Sequence, residues 1–145
     1  MEETKAEEYR RDGFLISTDR EKLDIPLVHD YLCNQSYWAG GRSLETVKRS
    51  IEKSLCYGVY TEDRQVGFAR IVSDFATFSW LCDLFILPEY AGRGLGKWLV
   101  ECITAHPLLN QPHLFVLLTK DAHELYRNYG GFDTFPEPER WMIRK

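Results

Sequence analysis

Three glycines at alternate positions, Gly92, Gly94 and Gly96, follow an apolar run that ends at Pro88, and an amphipathic stretch with Leu95, Trp98, Leu99, Cys102 and Ile103 begins at once. Strand, glycine-rich loop and helix in that order suit an anion. Without a Cβ the loop can aim several backbone N–H groups into one concavity, and the helix N-terminus adds partial positive charge. A phosphate is the most natural guest. Spacing excludes two nucleotide-binding loops of this general type. A Walker A loop counted back from Gly96-Lys97 needs glycine where Ala91 stands and Ser or Thr where Trp98 stands. A dinucleotide fingerprint needs glycine at Lys97 and belongs in the first strand-to-helix turn, not two-thirds along the chain.

Asp83 is the one charge inside the apolar run Trp80 to Leu87, and a buried carboxylate is costly unless it is partnered or used. Arg70, on a neighbouring strand, is a candidate partner. Tyr37, Trp38 and Arg42 sit together on a glycine-containing loop, either facing a ligand or capping the core. Tyr126 lies on one side of a short helix with Ala122, Leu125 and Tyr129; its O–H can serve as an acid or it is a half-buried aromatic. His29, His106, His113 and His123 have no metal-ligand spacing, so no metal is expected. Cys33, Cys56, Cys82 and Cys102 are far apart in apolar segments and form no C-x-x-C pair, which fits reduced core residues of an intracellular, by default cytoplasmic, protein.

The elements that must hold these residues follow from periodicity. Residues 1 to 12 mix charges and predict a mobile tail, and Gly13 to Ser17 predicts a strand. Asp24 can cap a helix bearing Ile25, Val28 and Leu32, and Ser43 a second bearing Leu44, Val47, Ile51 and Leu55. Cys56 to Thr61 and Gln65 to Ser73 read as a hairpin, Trp80 to Leu87 as a central strand and Leu114 to Leu118 as another buried strand. Asp121 to Glu124 has capping-box character, and Phe132 to Phe135 and Arg140 to Arg144 predict two closing strands about a Pro-Glu-Pro turn. With 145 residues, 44% hydrophobic and 28% charged, the chain has the size and composition of one globular domain. A net charge of -4 leaves no basic footprint for nucleic acid and fits a cationic small molecule only weakly. The charged N-terminus does not resemble a signal peptide, and the longest apolar run is too short to cross a bilayer, so no membrane partner is expected.

Two segments carry a resemblance to the GCN5-related N-acetyltransferase (GNAT) family. Ile86-Leu87-Pro88-Glu89-Tyr90 running into Ala91-Gly92-Arg93-Gly94-Leu95-Gly96 is similar to that family's Val-Asp-Pro-Glu-Tyr segment and its Gln/Arg-x-x-Gly-x-Gly/Ala loop. Leu125-Tyr126-Arg127-Asn128-Tyr129-Gly130-Gly131-Phe132 is similar to the Leu-Tyr-x-x-x-Gly-Phe segment. The motifs stand in the family's order, and the resemblance covers residues 13 to 145. Ala91 departs from Gln or Arg, Gly130-Gly131 holds an extra glycine, and Thr119 stands where many members have a cofactor-contacting asparagine.

The resemblance implies an α/β fold, a mixed, mostly antiparallel central sheet with helices on both faces, as a single N-acetyltransferase domain over residues 13–145. It implies acetyl-CoA as co-substrate, with pyrophosphate on the N–H groups of Gly92, Arg93, Gly94, Leu95, Gly96 and Lys97, and pantetheine paired along Leu84, Phe85 and Ile86. Thr119 would lie beside it, the strands would splay after Ile86, the Ile86 N–H would polarise the thioester carbonyl, and Tyr126 would protonate the departing thiolate. Leu81-Cys82-Asp83-Leu84-Phe85-Ile86 also resembles the Leu-Glu-Asp-Leu-Phe-Val of polyamine-type members, with Cys82 at the glutamate position. Asp83 then holds the amine or relays its proton, or else pairs with Arg70. Tyr37 and Trp38 would form an aromatic wall, with Arg42 for a substrate carboxylate. The implied activity is direct acetyl transfer to a primary amine of a small or amino-acid-like molecule. A non-catalytic acyl-CoA sensor and an acetyltransferase of protein N-termini or lysines remain open, and a homodimer is common in the family.

Overall fold

In the computed structural model, which describes residues 5–111 and 113–144, six strands form one sheet in chain order. β1 (Glu8–Arg11), β2 (Phe14–Ser17), β3 (Leu55–Thr61), β4 (Arg64–Ser73) and β5 (Phe78–Ile86) pair antiparallel, and β6 (Leu114–Leu117) joins β5 in parallel. This is the mixed, mostly antiparallel α/β sheet expected from the sequence.

Four helices cover the sheet. α1 (Ile25–Asn34) starts where the Asp24 carboxylate accepts the Leu27 N–H, and α2 (Leu44–Glu52) where the Ser43 hydroxyl accepts that of Thr46. α3 (Leu95–Thr104) follows the glycine loop, and α4 (His123–Gly130) follows β6. Successive residues of a strand point to opposite faces. On β3 the Cys56 thiol reaches the Ile51 carbonyl at the end of α2, while the Tyr57 ring meets His106 just beyond α3. The helices therefore lie on both faces. Val28, Leu32, Val47 and Ile51 are buried beneath one, Leu99 and Ile103 beneath the other, and each such side chain contributes about 1.5–3 kcal/mol.

Three local expectations are corrected. The charged segment through Asp12 is not all tail, because Glu8–Arg11 pairs with β2 through an Asp12-Gly13 turn with φ of 51° and 82°. Asp-Gly with both residues left-handed is a tight hairpin turn, and backbone pairing at a sheet edge needs no apolar face. Residues 1–4 of that segment lie outside the described residues. α4 has Ala122, not Asp121, at its N-cap, because the Thr119 hydroxyl accepts the Ala122 N–H at 3.0 Å. The two closing strands do not form. Phe132 is taken up by α4, its N–H donating to the Tyr126 carbonyl and its ring meeting Tyr126 and Phe115 edge-on, and Pro138 opens a short turn over Pro138–Arg140.

β5 departs from a regular strand at one point, and the site depends on it. Cys82 pairs with Arg70 and Phe85 with Phe68, so Asp83 and Leu84 together oppose Ala69, and Asp83 has φ of 55°. This is a β-bulge, which bends its strand and re-aims a side chain. The β5–β6 ladder ends at Leu81 and Leu117. The strands thus part at Cys82, not after Ile86 as expected, because the bulge at Asp83 and Leu84 interrupts β5 before Ile86 is reached. Among the described residues no helix is long and apolar enough to cross a membrane.

Candidate active site

A short turn over Pro88–Tyr90 ends β5, and the loop then passes through Gly92 and Gly94, with φ of 79° and 76°. L-residues avoid this left-handed region, so both positions require glycine for the loop to keep its path. Gly94 is the N-cap of α3, and no side chain caps that helix. The first-turn N–H groups of Leu95, Gly96 and Lys97 have no intrahelical acceptor and point out of the helix end. A Cβ added at Gly92 or Gly94 would meet nothing within 4 Å, so the space above the loop is open. Arg93 and Lys97 add positive charge, lying over the Tyr90 and Tyr129 rings at 5.1 and 5.3 Å. Ala91 contributes backbone only.

The free edge of β5 meets this loop. The Leu87 N–H donates to the Val66 carbonyl at 2.8 Å, on the β4 side. N–H directions alternate along a strand, so those of Leu84 and Ile86 face the gap left by β6. Phe85 instead points into the core, stacked on Tyr31 with centroids 4.0 Å apart. Ile86 and Leu125 flank Gly96, about 4 Å from where its Cβ would be. An uncapped helix end, a glycine loop open above and an unpaired strand edge can together receive a long ligand with an anionic half and an amide-bearing arm.

The gap opens into a cavity of about 570 Å³ lined by Tyr37, Trp38, Arg42, Asp83, Leu84, Thr119 and Tyr126, among others. Tyr126 is held by α4 packing on α3. A Cβ at Gly130 would meet Val100 Cγ1 at 2.8 Å, so glycine at this position is what lets the helices approach. Burial pushes the Tyr126 phenol up to about 12, so it stays protonated at neutral pH and can donate. The Thr119 hydroxyl, besides lining the cavity, starts α4.

Both carboxylate oxygens of Asp83 are bound by protein groups. Its Oδ1 accepts the Trp38 Nε1–H at 2.9 Å, and its Oδ2 accepts Arg42 Nη1 at 2.7 Å and Arg70 Nε at 2.9 Å. The pairing with Arg70 that the sequence left open is present, and Arg42 and Trp38, expected on the ligand, also bind this carboxylate. Tyr37 accepts the Lys120 N–H at 3.0 Å and stands edge-on to Trp38, tying the α1–α2 loop to the segment after β6. Cys82 lines the cavity, but burial pushes its thiol up to about 12 and it donates to the Arg70 carbonyl, so it is no nucleophile. Sequence reasoning missed Ser54, which accepts from Arg70 Nη1 at 3.1 Å, and Trp80 and Lys120 on the cavity wall. They come from separate segments with no spacing to link them.

Residues 52–130 match the acetyltransferase (GNAT) domain family. A crystal structure from Xanthomonas campestris pv. campestris, of a provisionally named acetyltransferase belonging to the GNAT family, superposes with a TM-score of 0.87 at 45% identity, over 91% of this chain and 92% of that one. A provisionally named acetyltransferase of Gibberella zeae is 29% identical over 155 residues, spanning 92% of this chain and 87% of the relative. A Clostridium acetobutylicum structure described as an acetyltransferase with acetyl-CoA shares the fold, with a TM-score of 0.66 at 12% identity over 91% of this chain and 94% of that one.

Proposed function

The chain belongs to the GNAT family of acetyltransferases, and from that premise we propose that it moves an acetyl group from acetyl-CoA directly to the primary amine of a small molecule. The observation that carries this proposal is the free edge of β5 beside the uncapped α3, opening into the cavity that holds Tyr126. Its volume, about 570 Å³, suits a small acceptor.

Acetyl-CoA supplies an activated thioester: the C–N bond forms, the C–S bond breaks, and an acceptor ammonium gives up two protons, one to solvent and one to the departing sulfur. The chain's own groups provide the rest. N–H groups from Gly92 to Lys97 bind the pyrophosphate, and those of Leu84 and Ile86 pair with the pantetheine arm. The Ile86 N–H lies at the end of that edge, suited to polarising the carbonyl, and the Tyr126 O–H hydrogen-bonds the developing thiolate. Asp83 enters as a positioning residue, since three donors already occupy its oxygens.

Calorimetry with CoA and acetyl-CoA, followed by a mass-shift screen of small amines and peptides, tests the proposal. Binding of both cofactors and acetylation of at least one small amine are expected. No cofactor binding would overturn it, and acetylation confined to peptides would move the acceptor to protein amines.

A further inference from the structure

The cluster around Asp83 holds two guanidiniums against one carboxylate. Asp83 is 1% exposed in its side chain, Arg70 11% and Arg42 22%. Asp83 can neutralise one of these cations, and the other charge remains on the cavity wall. Arg70 spends Nε on Asp83 and Nη1 on the Ser54 hydroxyl. Arg42 spends only Nη1. Its Nε and Nη2 have no acceptor among the described residues, although a guanidinium presents five N–H donors in a rigid fork. Lys120 and Asp121, also on the cavity wall, offset one another, so the lining is net positive in a protein whose formal charge is -4.

We infer that the acceptor carries an anionic group, a carboxylate or a phosphate, besides its amine, and that the free side of Arg42, backed by Arg70, receives it. Asp83 is then the positioning residue that fixes both guanidiniums. Trp38 holds the second Asp83 oxygen, so the carboxylate cannot turn toward the ligand without breaking that bond. Planar, two-point recognition of a carboxylate or phosphate is what such a fork does best. Tyr37, Trp38 and Trp80 leave an aromatic wall for the acceptor's body. The inference rests on the acetyl-transfer proposal for the same cavity and narrows its substrate class.

The test starts with the unaltered protein in saturating CoA, titrated calorimetrically with three matched amines: an amino acid, its carboxamide and an aminoalkyl phosphate of the same length. Turnover of each with acetyl-CoA is then measured. At least about tenfold tighter binding of an anionic member than of the carboxamide is expected, the scale of one charge-assisted hydrogen bond, and the tighter anion names the source. Arg42→Gln should remove most of that preference, raising KM for the anionic acceptor at least about tenfold with kcat within about threefold. Arg42→Lys should restore part of it, and Asp83→Asn should weaken it with the KM of acetyl-CoA unchanged. If Arg42→Gln fails to fold, the acid-to-carboxamide comparison in the unaltered protein decides alone. Equal or tighter binding of the carboxamide overturns the inference while any turnover keeps acetyl transfer standing. Tighter binding of the anion with no acetylation upholds anion recognition and removes acetyl transfer to small amines.

Discussion

Replacing Tyr126 with phenylalanine removes one oxygen from the cavity and leaves the packing of α4 against Phe132 in place. The size of the effect follows from two acidities. Burial pushes the phenol to about 12, whereas an ordinary thiol ionises at about 8.5. Full proton transfer from Tyr126 to the departing sulfur is therefore uphill by roughly three to four orders of magnitude, and the sulfur's proton is the one that the acceptor ammonium releases. What the O–H supplies is a hydrogen bond to a developing negative charge, about 1.5–3 kcal/mol. Tyr126→Phe should then lower kcat about 10- to 150-fold, short of the largest losses seen on removing a general acid. The KM of acetyl-CoA should change by less than about threefold. Steady-state loss of thioester absorbance, with calorimetric Kd values for CoA, measures both. Between pH 7 and 10 the unaltered enzyme should show no alkaline loss traceable to this group. An unchanged kcat in the variant, or an alkaline limb near 10 that the variant abolishes, would refute the assignment.

Gly94→Ala places a Cβ at φ of 76°, which costs about 1–2 kcal/mol; a 5- to 30-fold rise in the KM of acetyl-CoA is expected, milder for Gly94→Asn because asparagine tolerates that region, and equal effects of the two would show that the loop does not depend on its left-handed residue. His106 is buried, with Nδ1 accepting the Leu108 N–H, and burial holds its pKa below the usual imidazole value. The unfolded chain therefore binds the proton more readily. The stability this represents is complete above about pH 6.5 and is lost as pH falls below it, toward the lower folded value, by up to about 1.4 kcal/mol per pH unit. Thermal denaturation from pH 7.5 to 5 should show a steeper fall in Tm for the unaltered protein than for His106→Gln, and parallel curves would rule the effect out.

Local chemistry was legible in the chain wherever one segment carries the whole signal. Asp24 and Ser43 cap their helices because an oxygen one turn ahead of the first apolar stripe needs nothing distant. The glycine loop is visible because strand, loop and helix are contiguous. The β1–β2 hairpin had a signal too, in Asp12-Gly13, but the charge around it outweighed the turn. The closing strands failed for the opposite reason: apolar residues suggested a ladder, while tertiary contact with Tyr126 and Phe115 claimed Phe132. The cavity wall around Asp83 was only half visible. Trp38, Arg42, Arg70 and Asp83 come from three separated segments, and whether a guanidinium meets a ligand or a carboxylate depends on the bulge, which no composition or spacing encodes.

That bulge also sets an arithmetic for the chain. With Asp83 and Leu84 together opposite Ala69, β5 holds one residue more than its β4 partner needs between Cys82 and Phe85. Deleting a single residue there would make the two strands commensurate, and a more regular, better-paired sheet would result. The same change would remove the bend where β5 leaves β6 and withdraw the carboxylate that orders Arg42 and Arg70. In this molecule the counting error is the useful part: a more regular sheet would lose the bend and the buried carboxylate at one stroke.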